Sequence, residues 1–326
     1  MFIQRFFSSN RMNGFNCKNT SNLLMLLIVF IACSSFFLDK GKTVKNQKEI
    51  GDFPKFKFTD KEVNFLIIGD WGAGGSIQRN VAKGMESIFK TDNIQFIIST
   101  GDNFYPSGVT STTDNQWKTK FHSVYKGDLQ TLDWYPVLGN HDYKLNPEAQ
   151  IEYSSVFHHW KMPSNYYKYS KTKDENSIDF FAIDTQLLIS GTKDQKKAQL
   201  DWLDKELSQS TAKWKVCIGH HMIRSHGVYG DQSFMLKTVK PTLDKYNVKM
   251  YLSGHDHDLQ LIKSSEDSFY QLISGAGGGA RDTGYGKNTL FAHTNGGFVS
   301  CSISNKNIRC KFYNQYGSIV FSQILE

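Results

Sequence analysis

Short, continuously apolar runs, five of six ending at or one residue before a glycine, are the feature that most narrows what this chain can fold into. Val63–Ile68, Phe96–Ser99, Tyr135–Leu138, Ile178–Ile183, Trp214–Ile218 and Lys249–Leu252 are of strand length and bounded by turn residues. Continuous rather than alternating apolarity predicts strands covered on both faces. Between them, Ile77, Val81, Met85, Ile88 and Phe89 recur at helical spacing. So do Leu200, Leu203 and Leu207, behind a Thr192-x-x-Gln195 that resembles a capping box. Strand, helix and strand in alternation predict an α/β core. Gly297 to Leu325 reads as antiparallel strands. No composition break or repeat interrupts residues 59–326, which are expected to form one domain.

The amino terminus follows a different pattern. Arg5, Arg11 and Lys18 precede an apolar run from Leu23 to Leu38, and Asp39, Lys40 and Lys42 follow it. A basic stretch before a short apolar one is the layout of a signal peptide over residues 1–38, with Ala32, Cys33 and Ser34 as small residues for cleavage. The run is also nearly long enough to be an uncleaved signal anchor in a membrane. Either alternative sends the chain into the secretory pathway: secreted, lysosomal or vacuolar, or membrane-anchored and facing away from the cytosol. Residues 39–58 are polar and lysine-rich and read as a linker. Cys217 lies in an apolar run and reads as a buried thiol. A two-residue hairpin turn at Asn305 and Lys306 would set Ile303 opposite Ile308 and Cys301 opposite Cys310, within disulfide reach.

Five of the segments end alike. Val63–Ile68 runs into Gly69-Asp70, and Phe96–Ser99 reaches Gly101-Asp102-Asn103-Phe104-Tyr105. Tyr135–Leu138 meets Gly139-Asn140-His141-Asp142, Trp214–Ile218 meets Gly219-His220-His221, and Lys249–Leu252 reaches Gly254-His255-Asp256-His257. A buried strand, then Gly, then a metal-capable side chain puts the donor at the carboxyl edge of a sheet, where open α/β sheets build sites. Each motif alone is an ordinary turn; together they predict one metal site.

These blocks (Asp70, Asp102-x-x-Tyr105, Asn140-His141, His220 and His255-x-His257) resemble the five signature blocks of the metallophosphoesterases, the calcineurin-like superfamily. The tyrosine in the second block narrows the resemblance to the purple acid phosphatases of the small, animal-type, tartrate-resistant class. It extends from about Asn64 to the carboxyl terminus. The resemblance implies a catalytic domain with the α/β fold of that superfamily: a two-sheet β-sandwich flanked by helices in four layers, α/β/β/α. It implies Fe(III) held by Asp70, Asp102, Tyr105 and His257, and a divalent ion (Fe, Zn or Mn) held by Asp102, Asn140, His220 and His255. Asp102 would bridge the pair. Carboxylates and a phenolate are hard anionic donors suited to a trivalent ion, whereas imidazoles and an amide suit a divalent one.

The implied activity is an acid phosphatase, hydrolysing phosphomonoesters with a metal-bound hydroxide as nucleophile. His141 and His226 would act outside the metal shell, supplying a proton or positive charge at the leaving oxygen. His226 is carried by Ser225-His226-Gly227, after a shorter loop than animal members have, and an ordinary loop histidine is the alternative there. His221 is expected to point to the opposite face of a continuing strand. Animal-type members also carry a longer, cleavable loop between the positions of Asp184 and Gln199, so this chain is expected to lack that restraint.

The expected partners are small phosphorylated substrates or phosphoproteins; a net charge of +7 would favour their approach, but the lysine excess reads first as a solvated surface. The lysines are scattered rather than striped with aromatics, so no nucleic acid is expected. No oligomeric state follows from the sequence. A phosphodiesterase or pyrophosphatase on the same site is one alternative, since fold does not fix substrate. A non-catalytic, membrane-anchored scaffold is another; a complete set of buried anionic donors argues against it.

Overall fold

In the computed structural model, which describes residues 52–325, the apolar runs pair into two mixed sheets. The first contains β1 (Val63–Ile68), β2 (Phe96–Ser99), β3 (Asp133–Pro136), β11 (Gly297–Ile303), β12 (Ile308–Asn314) and β13 (Ile319–Leu325). Its order is β13-β12-β11-β1-β2-β3, with β1, β2 and β3 parallel and the rest antiparallel. The second contains β4 (Tyr167–Lys173), β5 (Asn176–Ala182), β6 (Trp214–Ile218), β7 (Met250–Ser253), β8 (Leu259–Ile262), β9 (Tyr270–Ser274) and β10 (Thr289–His293). Its order is β10-β8-β9-β7-β6-β5-β4, and β5, β6, β7 and β9 run parallel.

Side chains alternate along a strand, so each buried strand serves two layers. In β5, Phe180 meets Phe65 of β1 and Phe96 of β2 at ring separations of 5.6 and 5.8 Å, joining the two sheets. Its neighbour Phe181 belongs to a separate apolar cluster with Leu203, Leu207, Met235, Val239 and Leu243. Those residues lie on α4 (Lys193–Gln209) and α5 (Ser233–Lys245), which cover the outer face. α1 (Ser76–Ile88) buries Val81 and Met85 on the first sheet. The two short helices are α2 (Glu148–Glu152) and α3 (Thr185–Ser190). The result is the helix-flanked two-sheet sandwich that the resemblance implies. Each fully buried aliphatic or aromatic side chain contributes about 1.5–3 kcal/mol, so the doubly covered strands are the most strongly held part of the fold.

Local signals behave as the chemistry demands. Thr192 and Gln195 form a reciprocal capping box on α4, and Asp184 caps α3 through Leu187 N. α3 fills the stretch where a long loop was expected to be missing. Cys301 does face Cys310, and Ile303 faces Ile308. The two thiols are free and buried, however, so the expected disulfide is not formed. The far end of the stretch expected as a linker, 39–58, is packed. Phe58 is buried, Phe56 stacks on it at 5.9 Å, and the cations of Arg309 and Lys311 lie over both rings. The signal peptide or anchor expected over 1–38, and the linker before residue 52, lie outside the described residues. Among the described residues no helix is long and apolar enough to cross a membrane.

Candidate metal centre

The carboxyl ends of β1, β2 and β3 in one sheet and of β6 and β7 in the other open onto a common edge. Asp70 follows β1, Asp102 and Tyr105 follow β2, and Asn140 and His141 follow β3. His220 follows β6, and His255 and His257 follow β7. Asp70, Asp102 and His255 take the left-handed backbone region, with φ of 56°, 50° and 70°. That region is sparsely used by residues other than glycine and is tolerated where function dictates side-chain direction. Two glycines make the convergence possible. A Cβ on Gly139 would overlap Asp102, and one on Gly254 would overlap the Asp70 carboxylate.

The seven expected donors come together. Tyr105 Oη lies 2.8 Å from Asp70 Oδ1, 2.7 Å from Asp102 Oδ2 and 3.1 Å from His257 Nε2. His220 Nε2 lies 3.5 Å from Asp102 Oδ2, 3.2 Å from Asn140 Oδ1 and 3.2 Å from His255 Nδ1. Asp102 Oδ2 therefore stands between the phenol group and the imidazole group. Atoms of Asp70, Asp102 and His220 lie within 4.8 Å of one another, a spacing that can hold a metal ion. Main-chain donors fix the carboxylates: His141 N donates to Asp102 Oδ1 (2.7 Å) and His255 N to Asp70 Oδ2 (2.9 Å).

Electrostatics tests whether this cage fits a cation. Asp70 and Asp102 are both 1% exposed, and among the described residues no lysine or arginine pairs with either. Uncompensated buried charge of this kind costs several kcal/mol. Burial first, and then the charges of Asp70 and Asp102, push the Tyr105 phenol far above its ordinary range. Only a strong positive charge among these atoms would release that proton. Burial opposes a charge on His220, yet Asp102 and Asp70 outweigh it and hold it above the usual histidine range. Burial, then the charges of His220, His221, His257 and Arg281, hold His255 well below that range, neutral and ready to donate a lone pair. The donor set fits a pair of cations, with harder donors on one side and neutral ones on the other.

Around the cage, His141 and His226 take different positions, and His221 departs from the face expected of it. His141 packs on Tyr105 with ring centroids 4.4 Å apart and planes tilted by 48°, its Nδ1 donating to Pro106 O (2.6 Å) with Lys144 Nζ 2.9 Å from Nδ1 and 3.2 Å from Nε2. The ring of His226 packs against Gly286, where a Cβ would overlap it, and none of the seven donors hydrogen-bonds to it. The ring on the face of His255 is instead Tyr229, stacked at 4.3 Å. His221 does not turn away either. β6 ends at Ile218, so the strand alternation lapses, and His221 lies 4.4 Å from His255. Thr185 Oγ1 accepts from the amides of His220 and His221, so its own proton goes to His221 Nδ1 at 2.8 Å. Burial and the charge of His220 push His221 down to about 2, which keeps it neutral.

Sequence reasoning missed Asp142. Fully buried, it accepts from the amides of Asn103 (3.1 Å), Phe104 (3.3 Å) and Gly139 (2.9 Å) and from Gln150 Nε2 (2.8 Å). It thereby ties the β2 turn to the β3 turn. Burial and then the Asp102 charge raise it to about 7. Its position after Asn140-His141 was the sole signal, and that reads equally as a surface turn.

Comparisons agree with this geometry. The calcineurin-like phosphoesterase family matches residues 63–259. Purple acid phosphatase 3 of Arabidopsis thaliana is 34% identical over 288 residues, covering 80% of this chain and 77% of that protein. The tartrate-resistant acid phosphatase type 5 of Oryctolagus cuniculus is 31% identical, covering 66% of this chain and 73% of that one. Among solved structures, GAP50, the anchor in the inner membrane complex of Plasmodium, superposes with a TM-score of 0.76 at 26% identity, covering 81% of this chain and 89% of that one. With the two-sheet sandwich, the converged donors and these relatives, the chain belongs to the purple acid phosphatases of the calcineurin-like phosphoesterase family and is a phosphatase of the hydrolase class.

Proposed function

We propose that the protein hydrolyses phosphomonoesters at a dinuclear Fe(III)–M(II) centre, with M being Fe, Zn or Mn. The supporting observation is the position of Asp102 Oδ2, which touches the Tyr105 phenol on one side and approaches His220 on the other. On this reading Asp70, Asp102, Tyr105 and His257 hold the trivalent ion, and Asp102, Asn140, His220 and His255 hold the divalent one. When bound, such a pair acidifies water to give a nucleophile and polarises a phosphoryl oxygen.

The chain's own groups do the rest. In its doubly protonated form His141 keeps Nδ1–H on Pro106 O and passes the Nε2 proton to the leaving oxygen, and the Lys144 ammonium beside it adds positive charge at the rim. Leaving-group protonation is assigned to His141 rather than to His226, which lies against Gly286. The test is metal analysis with an absorption spectrum and turnover of 4-nitrophenyl phosphate. The expected protein contains iron and shows a visible phenolate-to-iron band that Tyr105→Phe removes. A folded, colourless protein without iron would sink the assignment. Faster turnover of bis-4-nitrophenyl phosphate would favour a phosphodiesterase.

A second reading, a non-catalytic membrane-anchored scaffold, draws support from the likeness to GAP50. The intact donor set weighs against it, because buried carboxylates without a cation only destabilise. We also propose that Leu23–Leu38 directs the chain into the secretory pathway, with membrane anchoring if the segment is retained. Amino-terminal sequencing of the mature protein tests this, and a protein beginning at Met1 in the cytosol would refute it.

A further inference from the structure

Two segments outside the donor set close over the His255–His257 turn from opposite sides. From one side, Tyr229 N donates to Asp256 Oδ1 (3.1 Å), and the Tyr229 ring stacks on His255 at 4.3 Å and 21°. From the other, Arg281 N donates to His257 O (2.8 Å). The segments meet where Arg281 Nη1 donates to Tyr229 Oη at 2.7 Å, with the guanidinium carbon 5.2 Å from the ring centroid. Tyr229 is 51% exposed, so the clasp faces solvent at the rim of the site.

Arg281 has capacity to spare. Among the described residues its guanidinium makes no ion pair, and the hydrogen bond to Tyr229 goes to a hydroxyl oxygen. The nearby Asp256 carboxylate is already engaged by Ser225 Oγ and Tyr229 N. A guanidinium carries five N–H donors in a planar fork that matches phosphate oxygens, and most of these have no protein partner. The rim thus carries two cations of different kinds. Lys144 lies beside His141 on the phenol side, and Arg281 lies beyond Tyr229 on the imidazole side. A substrate with one phosphate occupies the donor cage with Lys144 near its leaving oxygen, and has no need of Arg281. A second phosphate on the leaving group needs its own cation, and a fork held by an aromatic ring against a metal-ligand candidate is already pre-organised for it.

We propose that Arg281 is a specificity-determining residue that grips a second phosphate on the leaving group, with Tyr229 as its positioning residue. Phosphoric anhydrides (pyrophosphate and nucleoside diphosphates) then gain over simple monoesters. This inference rests on the phosphatase reading above.

The experiment measures kcat and KM for 4-nitrophenyl phosphate, pyrophosphate and ADP in wild type, Arg281→Ala, Arg281→Lys and Tyr229→Phe. Metal content and calorimetric binding of imidodiphosphate are measured on the same samples. Arg281→Ala is expected to raise KM for pyrophosphate and ADP about ten- to a hundredfold, the range for a charge-assisted hydrogen bond. KM for the aryl ester should stay within about twofold, and imidodiphosphate affinity should fall in parallel. Arg281→Lys and Tyr229→Phe should fall between. An equal shift for all three substrates, no shift, or loss of metal from Arg281→Ala would make the clasp merely structural and overturn the proposal. A metal-loaded wild type that hydrolyses none of the three would instead overturn the phosphatase reading and this inference with it.

Discussion

The two sheets meet at one edge, but they equip it differently. The first brings carboxylates, a phenol and an amide, and fixes them with hydrogen bonds: Asp142 alone gathers three amides and Gln150 between the turns after β2 and β3. The second brings imidazoles and fixes each with a single hydrogen bond or by ring packing: His220 Nδ1 donates to Thr100 O (2.9 Å), Thr185 holds His221, and His221 and Tyr229 both lie against His255. The difference follows from charge. An anionic donor left alone in a buried site must be satisfied by many dipoles, whereas a neutral ring needs only its tautomer and its plane set.

That contrast can be broken at several points. The largest effect is expected from Asp102→Ala, which removes the one carboxylate shared by both halves. Metal content should drop below one equivalent and turnover should fall by about a thousandfold or more. Retained turnover would mean the halves do not share it. Asp142→Asn should come next, by offering an NH2 where amide donors need an acceptor. With one or two buried N–H groups unpaired, a loss of about 2–5 kcal/mol in urea denaturation is expected; a change below about 1 kcal/mol would show that the first edge does not depend on that network.

Asp184 offers a pH handle on the second sheet's side. It caps α3, bonds Tyr143 Oη, and burial raises it from 3.8 to about 6. A carboxyl that holds its proton more tightly when folded stabilises the fold fully below pH 4, and that stabilisation is lost as pH climbs through 6. Relative to Asp184→Asn, which still caps the helix, the wild type should lose up to about 3 kcal/mol between pH 4 and pH 7. A constant difference across that range would refute the burial argument. Thr185→Val should be mildest for turnover. It leaves the buried amides of His220 and His221 without their acceptor and frees the His221 tautomer, so stability should fall by about 2–5 kcal/mol while turnover changes only several-fold. A collapse of turnover would promote His221 from packing to chemistry.

How much of this was legible in advance depends on whether a residue's environment is local. β1, β2 and β6 coincide with their apolar runs because covered strands must be apolar throughout. β3 was expected two residues late, since Val137 and Leu138 are buried yet lie past its end. β4 escaped notice because its Lys- and Ser-bearing sequence is a half-exposed edge. The seven donors were readable because each follows a strand and a glycine. The rim was less so: the His226 ring packs on Gly286, far along the sequence, and His221 turned with a strand that stopped. Asp142, Tyr229 and Arg281 gain their importance only from residues distant in sequence.

The left-handed backbone at Asp70, Asp102 and His255 has an evolutionary consequence. Glycine would sit there more comfortably than aspartate or histidine, and at Asp70 and Asp102 it would also relieve the crowding of negative charge. A lineage released from catalysis would therefore drift toward a sturdier protein as it lost its metals, and disarmed descendants should melt higher than their metal-stripped ancestors. Comparing thermal melts of metal-free wild type and Asp102→Gly would expose that gradient, and a lower melt for the glycine variant would abolish it.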